Sequence, residues 1–350
     1  MRLADLDHYD YDLPPELIRK AGVEPRDSAR LFVYDTRTDT VVFDTFANVA
    51  RFLPERSLMV LNDTRVLPAR LWLTKETGGK IEVFVLANQI EDDERIPVLV
   101  DRKTAVGQKL FFPNQDFFEV VDQTEQIFSV RLKSASGQSL ISLLEAYGKT
   151  PLPHYLEGAE IGETELRKRY QTVFAQSGAS VAAPTASLHF TDAVFRSLDE
   201  RHIDRTTLLL NVGLGTFAPL REEYFVDQRL HSESVLITDE TAEAVNVAKR
   251  SGRPIIAVGT TTTRTLEAFA CDGMIESGAG KTDIFIFPPY EFQIVDHLIT
   301  NFHLPKTSLL LLVDAFLQHK GAKKNVMELY RIAIENRFAF YSFGDSMLIL

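Results

Sequence analysis

Several short stretches of the chain gather residue types able to hold an ion or move a proton. In Ala257–Glu267 (AVGTTTTRTLE) an apolar run meets Gly259, consecutive threonines and Arg264. A helix beginning near Thr265 would aim its free N–H groups at the place reached by the hydroxyls of Thr260 and Thr261 and by the guanidinium. Such a pocket suits an anion; a threonine-capped turn without any ligand reads equally well. Asn211–Phe217 (NVGLGTF) sets Gly213 and Gly215 directly after an apolar run, where glycine permits positive φ or close approach of backbone to a ligand. No third glycine opens a helix there, which disfavours a dinucleotide site, and the Lys-Ser/Thr ending of a phosphate loop is absent from the threonine stretch.

Ser180–Thr191 (SVAAPTASLHFT) carries Thr185 and His189 behind small residues that leave a ligand room. Histidine titrates near neutral pH, although one between Leu188 and Phe190 also suits a satisfied core position. Thr300–Ser308 (TNFHLPKTS) sets Asn301 and His303 before a proline, and FAFYSFGDSML places Tyr341, Phe343 and Asp345 around Gly344. Aromatic faces beside carboxylates suit a sulfonium cation or a stacked base, and suit a core as well. LNDTRVLPARL adds Asn62, Asp63 and Arg70, and LHSE adds Glu233.

The elements that must position these groups change character along the chain. Between Asn62 and Gly148, short apolar segments (LWL, IEVFVLA, IPVLV, KLFF, FFEVV, IFSVRL) alternate with turn residues, the texture of a small antiparallel barrel, closed by a helix over Ser139–Tyr147. Outside it, apolar strands precede helical periods. Leu31–Asp35, Arg205–Val212 and Pro254–Val258 read as strands, and DIFIFPPYEF as an aromatic strand flanked by Asp283 and Tyr290. Asp239–Arg250, capped by Thr238, and Leu309–Gln318 and Val326–Asn336 read as helices. The expected fold class is therefore α/β: a mixed-sheet domain built from both chain ends (1–61 and 149–350) with an inserted antiparallel β-barrel domain (62–148).

At 350 residues, 45% of them hydrophobic, the chain can bury the cores of two domains. No apolar run approaches the roughly 20 residues that span a bilayer, and the start lacks a signal-peptide pattern, so no membrane role is expected. The single Cys271 leaves no disulfide framework and no multi-cysteine metal site, and fits a reducing cytoplasm. A net charge of −11 argues against coating nucleic acid but leaves room for a local patch at Arg167, Lys168 and Arg169 or at Lys320, Lys323 and Lys324.

Taken in order, DLPPELI, LNDTRVLPARL, GKTPLPHY, YQTVFA, VAAPTASLHFT, VGLGTF, LHSE, AVGTTTTRTLE, TNFHLP and FGDSML resemble the successive signatures of the S-adenosylmethionine:tRNA ribosyltransferase-isomerases of queuosine biosynthesis, across essentially the whole chain. The resemblance implies the same inserted-barrel architecture. It also implies transfer and isomerisation of the ribosyl moiety of S-adenosylmethionine, a co-substrate, onto 7-aminomethyl-7-deazaguanine at the wobble position of tRNA. The products would be epoxyqueuosine-tRNA, adenine and methionine, made by a cytoplasmic monomer without a metal. Ser187, Asn211, Pro289 and the order Thr307-Ser308 depart from the family's commoner residues, which puts in doubt a catalytic role for Asn211.

Competing readings are a non-catalytic RNA-binding protein and another S-adenosylmethionine-dependent RNA-modifying transferase. The former should be basic, and the methyltransferase form of the latter should carry a glycine-rich loop after Leu31–Asp35, where Thr36, Arg37 and Thr38 stand. The chemistry requires a base for the proton beside the sulfonium. His189, His303 and Glu233 are the candidates, with His189 placed first. Asn62 to Arg70, His189, Asn301 and His303 are expected to share one pocket, and Thr260, Thr261 and Arg264 to hold an anion; Thr185, Gly213, Gly215 and Asp345 complete the substrate contacts.

Overall fold

The computed structural model describes residues 1–92, 94–156, 161–213 and 219–350. Its larger body is a nine-stranded mixed sheet, ordered Gly278–Ile284, Arg229–Ile237, Asp204–Leu210, Leu58–Asn62, Ile255–Val258, His297–Asn301, Ser346–Ile349, Arg30–Asp35 and Thr40–Thr45. Both chain ends thus enter one sheet. The central strands Leu58–Asn62 and Ile255–Val258 are buried at every position and run parallel, as expected of strands covered on both faces. The pleat sends Leu58 and Val60 into one apolar layer with Val245 and Leu310, and Met59 and Leu61 into the opposite layer with Val194 and Leu198.

Helices begin where side-chain caps say they should. Asp239–Arg250 starts after Thr238, whose hydroxyl accepts from the Thr241 N–H, and Leu140–Tyr147 starts after Ser139, which accepts from Ser142. Val326–Glu335 carries a full capping box between Asn325 and Glu328. Two expectations are corrected. The helix of the threonine stretch spans Thr260–Ala268, so it starts five residues early, directly after Gly259. The aromatic segment is not a strand: pairing ends at Ile284, and Phe285 and Phe287 pack against each other and against Phe225.

Six further strands, Arg70–Lys75, Lys80–Val85, Ile96–Val100, Lys109–Phe111, Phe117–Thr124 and Ile127–Lys133, form a separate antiparallel sheet in which each pairs with two others. Alternation drives it: Leu71 and Leu73 point into its core with Val83, Val98 and Val130, while Trp72 between them is exposed.

Candidate substrate site

The carboxyl ends of Ile255–Val258 and His297–Asn301 open into a cavity, the position at which open α/β sheets place their ligands. Gly259, at φ +89°, turns the first strand into its helix and supplies no side-chain cap. The first helical bond runs from the Thr263 N–H to the Gly259 carbonyl at 3.1 Å, so the amides of Thr260, Thr261 and Thr262 have no intrahelical acceptor. The hydroxyls of Thr262, Thr263 and Thr265 bond back to carbonyls one turn earlier. Those of Thr260 and Thr261, residues only 6% and 7% exposed, make no such bond and line the cavity.

His303 lines the same cavity as these threonines. Its Nε2 shares a 2.9 Å hydrogen bond with the Thr300 hydroxyl, its N–H donates to the Tyr330 oxygen at 2.8 Å, and its carbonyl accepts from the Tyr11 hydroxyl. Burial lowers its pKa to about 3, so the ring is neutral. Tyr155 and Tyr341 form another wall, with ring centroids 5.0 Å apart and the Tyr155 hydroxyl hydrogen-bonded to Ser342. Tyr341 adopts φ +70°, a costly conformation for a bulky residue and one that gathers at functional sites.

Asn301 ties the cavity to His189. Its Oδ1 accepts from Thr185 at 2.9 Å, and its Nδ2 lies 3.4 Å from His189 Nε2 and 3.4 Å from the Asp345 carbonyl. His189 itself lies in a smaller adjoining cavity with Arg26, Arg169 and Phe343, packed on the Phe46 ring; Ser342 borders both spaces. Burial lowers the His189 pKa to about 4, against the opposing influence of the Asp345 charge. The expectation of one shared pocket is therefore corrected: Thr185, Thr260, Thr261, Asn301 and His303 converge, whereas His189 stands behind Asn301.

The remaining candidates lie elsewhere. Asn62 is wholly buried and clasps Leu210 through both ends of its amide, at 3.0 and 3.1 Å. Asp63 opens into a second groove, and Arg70 sits on the six-stranded sheet, paired with Glu82 at 2.8 Å. Arg264 does not join Thr260 and Thr261. The early helix start carries it a turn onward, where it forms a buried ion pair with Glu233 at 2.5 Å and donates from Nε to the Ile284 carbonyl, leaving Nη2 buried without a partner. The other Glu233 oxygen accepts from the Gly213 N–H at 3.0 Å. A Cβ added at 213 would lie 2.6 Å from Asn88 Nδ2, so the Asn88 amide would have to shift to admit it. Gly215 lies outside the described residues. Asp345 is a buried clasp, accepting from Arg19 and from the N–H groups of Arg30 and Ala339, with no exposure left for a ligand.

Tyr155 and Ser342 were not singled out by type or spacing, although they sit inside GKTPLPHY and FAFYSFGDSML. Among the described residues, no group of three His, Cys, Asp or Glu side chains is placed to hold a metal ion, and no helix is long and apolar enough to cross a membrane.

Residues 6–349 match the family model described as "Queuosine biosynthesis protein". A relative from Carboxydothermus hydrogenoformans, named S-adenosylmethionine:tRNA ribosyltransferase-isomerase, is 42% identical over 352 residues, covering 100% of both chains. One of the same name from Caldanaerobacter subterraneus is 40% identical over 343 residues, covering 97% of this chain and 98% of its own. The crystal structure of an S-adenosylmethionine tRNA ribosyltransferase from Thermotoga maritima superposes with a TM-score of 0.54 at 30% identity, covering 98% of this chain and 99% of that one.

Proposed function

The chain belongs to the S-adenosylmethionine:tRNA ribosyltransferase-isomerase family of queuosine biosynthesis, and we propose that it binds its donor in the cavity between Thr260 and His303. The enzyme is a transferase that draws on S-adenosylmethionine and modifies tRNA. Its acceptor is 7-aminomethyl-7-deazaguanine at the wobble position. The ribosyl moiety moves to the aminomethyl nitrogen and rearranges, giving epoxyqueuosine-tRNA while adenine and methionine leave.

The observation that supports this placement is the uncapped helix start. The methionine carboxylate of the donor takes the free amides and the hydroxyls of Thr260 and Thr261, where the helix dipole favours negative charge. The sulfonium then lies by the Tyr155 and Tyr341 rings, whose faces attract a cation. His303, neutral and lining the same space, takes the proton from the carbon beside the sulfonium. The bound carboxylate beside it stabilises the resulting imidazolium. This order reverses the expectation that placed His189 first, and leaves His189 to hold Asn301. The charge of Glu233 is already engaged by Arg264. Other S-adenosylmethionine chemistry on RNA is disfavoured by the absence of a methyltransferase loop after Arg30–Asp35.

We read the six-stranded sheet as a β-barrel domain inserted at 62–148 into the α/β body of 1–61 and 149–350, because its first and last paired strands all fall between those limits. A cytoplasmic setting follows from substrates met there and fits the exposed free Cys271; sedimentation tests the monomer. The decisive assay incubates the protein with S-adenosylmethionine and tRNA carrying the aminomethyl base, and measures free adenine. Thr261→Val should raise KM for the donor about tenfold or more through loss of a charge-assisted hydrogen bond. His303→Gln should abolish exchange of the donor's 5′ protons with deuterated solvent, whereas His189→Gln should retain it. Adenine release without any effect of these substitutions would remove the donor from this cavity.

A further inference from the structure

A second groove opens one strand along from the first cavity. Leu58–Asn62 and Ile255–Val258 run parallel with Val60 opposite Ala257, so Asp63 and Thr260 leave neighbouring strands at the same height, on strands spaced about 5 Å apart. Thr260 turns into its helix, whereas Asp63 borders a groove that follows Asp204–Leu210. Asp63 is only 9% exposed. Its Oδ2 accepts from the Thr207 hydroxyl at 3.0 Å, and Oδ1 accepts from no other side chain among the described residues. Burial raises its pKa, and no neighbouring cation offsets that effect. A buried carboxylate with one open oxygen at the side of a roomy groove is an acceptor in search of donors.

The walls are aromatic and cationic. Phe174 and Phe195 meet edge to face with centroids 5.8 Å apart, and the Arg205 guanidinium stacks 4.9 Å above Phe195. Arg205 and Thr207 are two residues apart on one strand face, a separation of about 7 Å. We infer that this groove binds the acceptor base of the RNA through the Asp63 carboxylate, and that it selects a guanine-type ring. Such a ring offers a ring N–H and an exocyclic amine side by side, a donor pair that matches two carboxylate oxygens. Adenine and cytosine rings offer the amine without an adjacent ring N–H. Arg205, whose Nη1 donates to the Asp199 carboxylate at 2.6 Å and to the Phe195 carbonyl at 3.2 Å, then meets the sugar–phosphate of the same nucleotide through its other N–H groups. The inference rests on reading the chain as an RNA ribosyltransferase, and brings acceptor and donor to adjacent strand ends of one sheet.

The test compares two tRNAs, one carrying the aminomethyl-deazaguanine and the other the same base without its 2-amino group, by adenine release. The wild-type protein should show a KM for the second RNA about ten- to a hundredfold higher, the worth of a hydrogen bond to a charged group. Asp63→Asn should raise KM for the first RNA and erase the difference between the two, with KM for S-adenosylmethionine unchanged. A purely structural Asp63 would lower the melting temperature yet leave the discrimination intact. If Asp63→Asn does not fold, Thr207→Val, which releases the carboxylate from its orienting hydroxyl, should weaken the same discrimination. Absence of adenine release with the first RNA would overturn the ribosyltransferase reading itself. Release with equal use of both RNAs, or discrimination kept by whichever variant folds, would overturn the groove as the base site while leaving that reading in place.

Discussion

Arg264→Met separates two accounts of this guanidinium. If it holds the donor's carboxylate, its loss costs binding; if it is locked to Glu233, its loss costs stability. Both side chains are 4% exposed and their charged atoms lie 2.5 Å apart. Removing one partner from a buried pair costs about 3–5 kcal/mol, because the other charge stays in a medium that solvates it poorly. With 350 residues and about 2.1 cal/mol/K of unfolding entropy per residue, the protein loses roughly 0.7 kcal/mol of stability per kelvin near its midpoint. The melting temperature should therefore fall by about 4–7 °C. Glu233→Gln should fall by a similar amount, and the double variant by less than the sum, since no lone buried charge remains. Calorimetry gives the stabilities, and adenine release at varied S-adenosylmethionine gives KM, which should change by no more than about twofold. An unchanged melting temperature with KM raised tenfold or more would refute the lock and return Arg264 to the anion.

Three further outcomes follow from single features. Gly259→Ala forces a side chain into φ +89° although its Cβ would meet nothing closer than 3.7 Å, so strain alone should cost about 1–3 kcal/mol, and re-aiming the helix start should raise KM for S-adenosylmethionine; a variant with wild-type KM would count against the helix start as a subsite. Burial lowers the pKa of His189 and His297 to about 4 and of His303 to about 3. The unfolded chain takes up protons there from its ordinary value near 6.5, so stability is complete above that pH and is lost on acidification, by up to about 1.4 kcal/mol per pH unit for each histidine. Asp63 and Glu267, raised by burial, act in the opposite sense. Melting temperature should fall between pH 7 and 5, less steeply in His303→Gln, and a flat profile would contradict the burial argument. Gly148→Ala places a Cβ 1.8 Å from the Pro68 carbonyl oxygen and 2.6 Å from that of Leu144. Because both are backbone, the cost should reach or exceed the upper end of about 1–3 kcal/mol for overpacking, and soluble protein with unchanged melting temperature would show that the chain can move there cheaply.

Much of the architecture was legible because local rules agree with the global pattern. Thr238 and Ser139 start helices where their hydroxyls predict, and the central strands are apolar at nearly every position because both faces are covered. The site was legible only as segments. Thr260, Asn301 and His303 follow strands that prove adjacent, but nothing in the order of the chain reveals that His189 lies behind Asn301, or that Asp345 spends its carboxylate on Arg19, Arg30 and Ala339. Of the second groove only Asp63 was singled out, and for the wrong cavity: Phe174, Phe195 and Arg205 come from separate elements, each an ordinary residue in its own stretch.

The misplaced helix start shows what the four threonines do. A threonine before a helix usually caps it, which is why the run reads as a loop leading to Thr265. Here glycine takes the cap position, in a backbone conformation that threonine would adopt only at a cost, so the threonines fall inside the helix. Three threonine hydroxyls, those of Thr262, Thr263 and Thr265, are then consumed by carbonyls of the preceding turn. A serine or aspartate at 259 would satisfy the leading amides internally and close the helix to any ligand. Glycine leaves those amides open beside the hydroxyls of Thr260 and Thr261. The consequence is a helix that gives up the few tenths of a kcal/mol by which a side-chain cap exceeds glycine and keeps its leading amides free for an anion. Gly259→Ser should accordingly raise the melting temperature of the ligand-free protein relative to Gly259→Ala, by about the 1 kcal/mol that separates a serine from an alanine cap, while weakening donor binding. Equal melting temperatures for the two variants would show that the open amides carry no such cost.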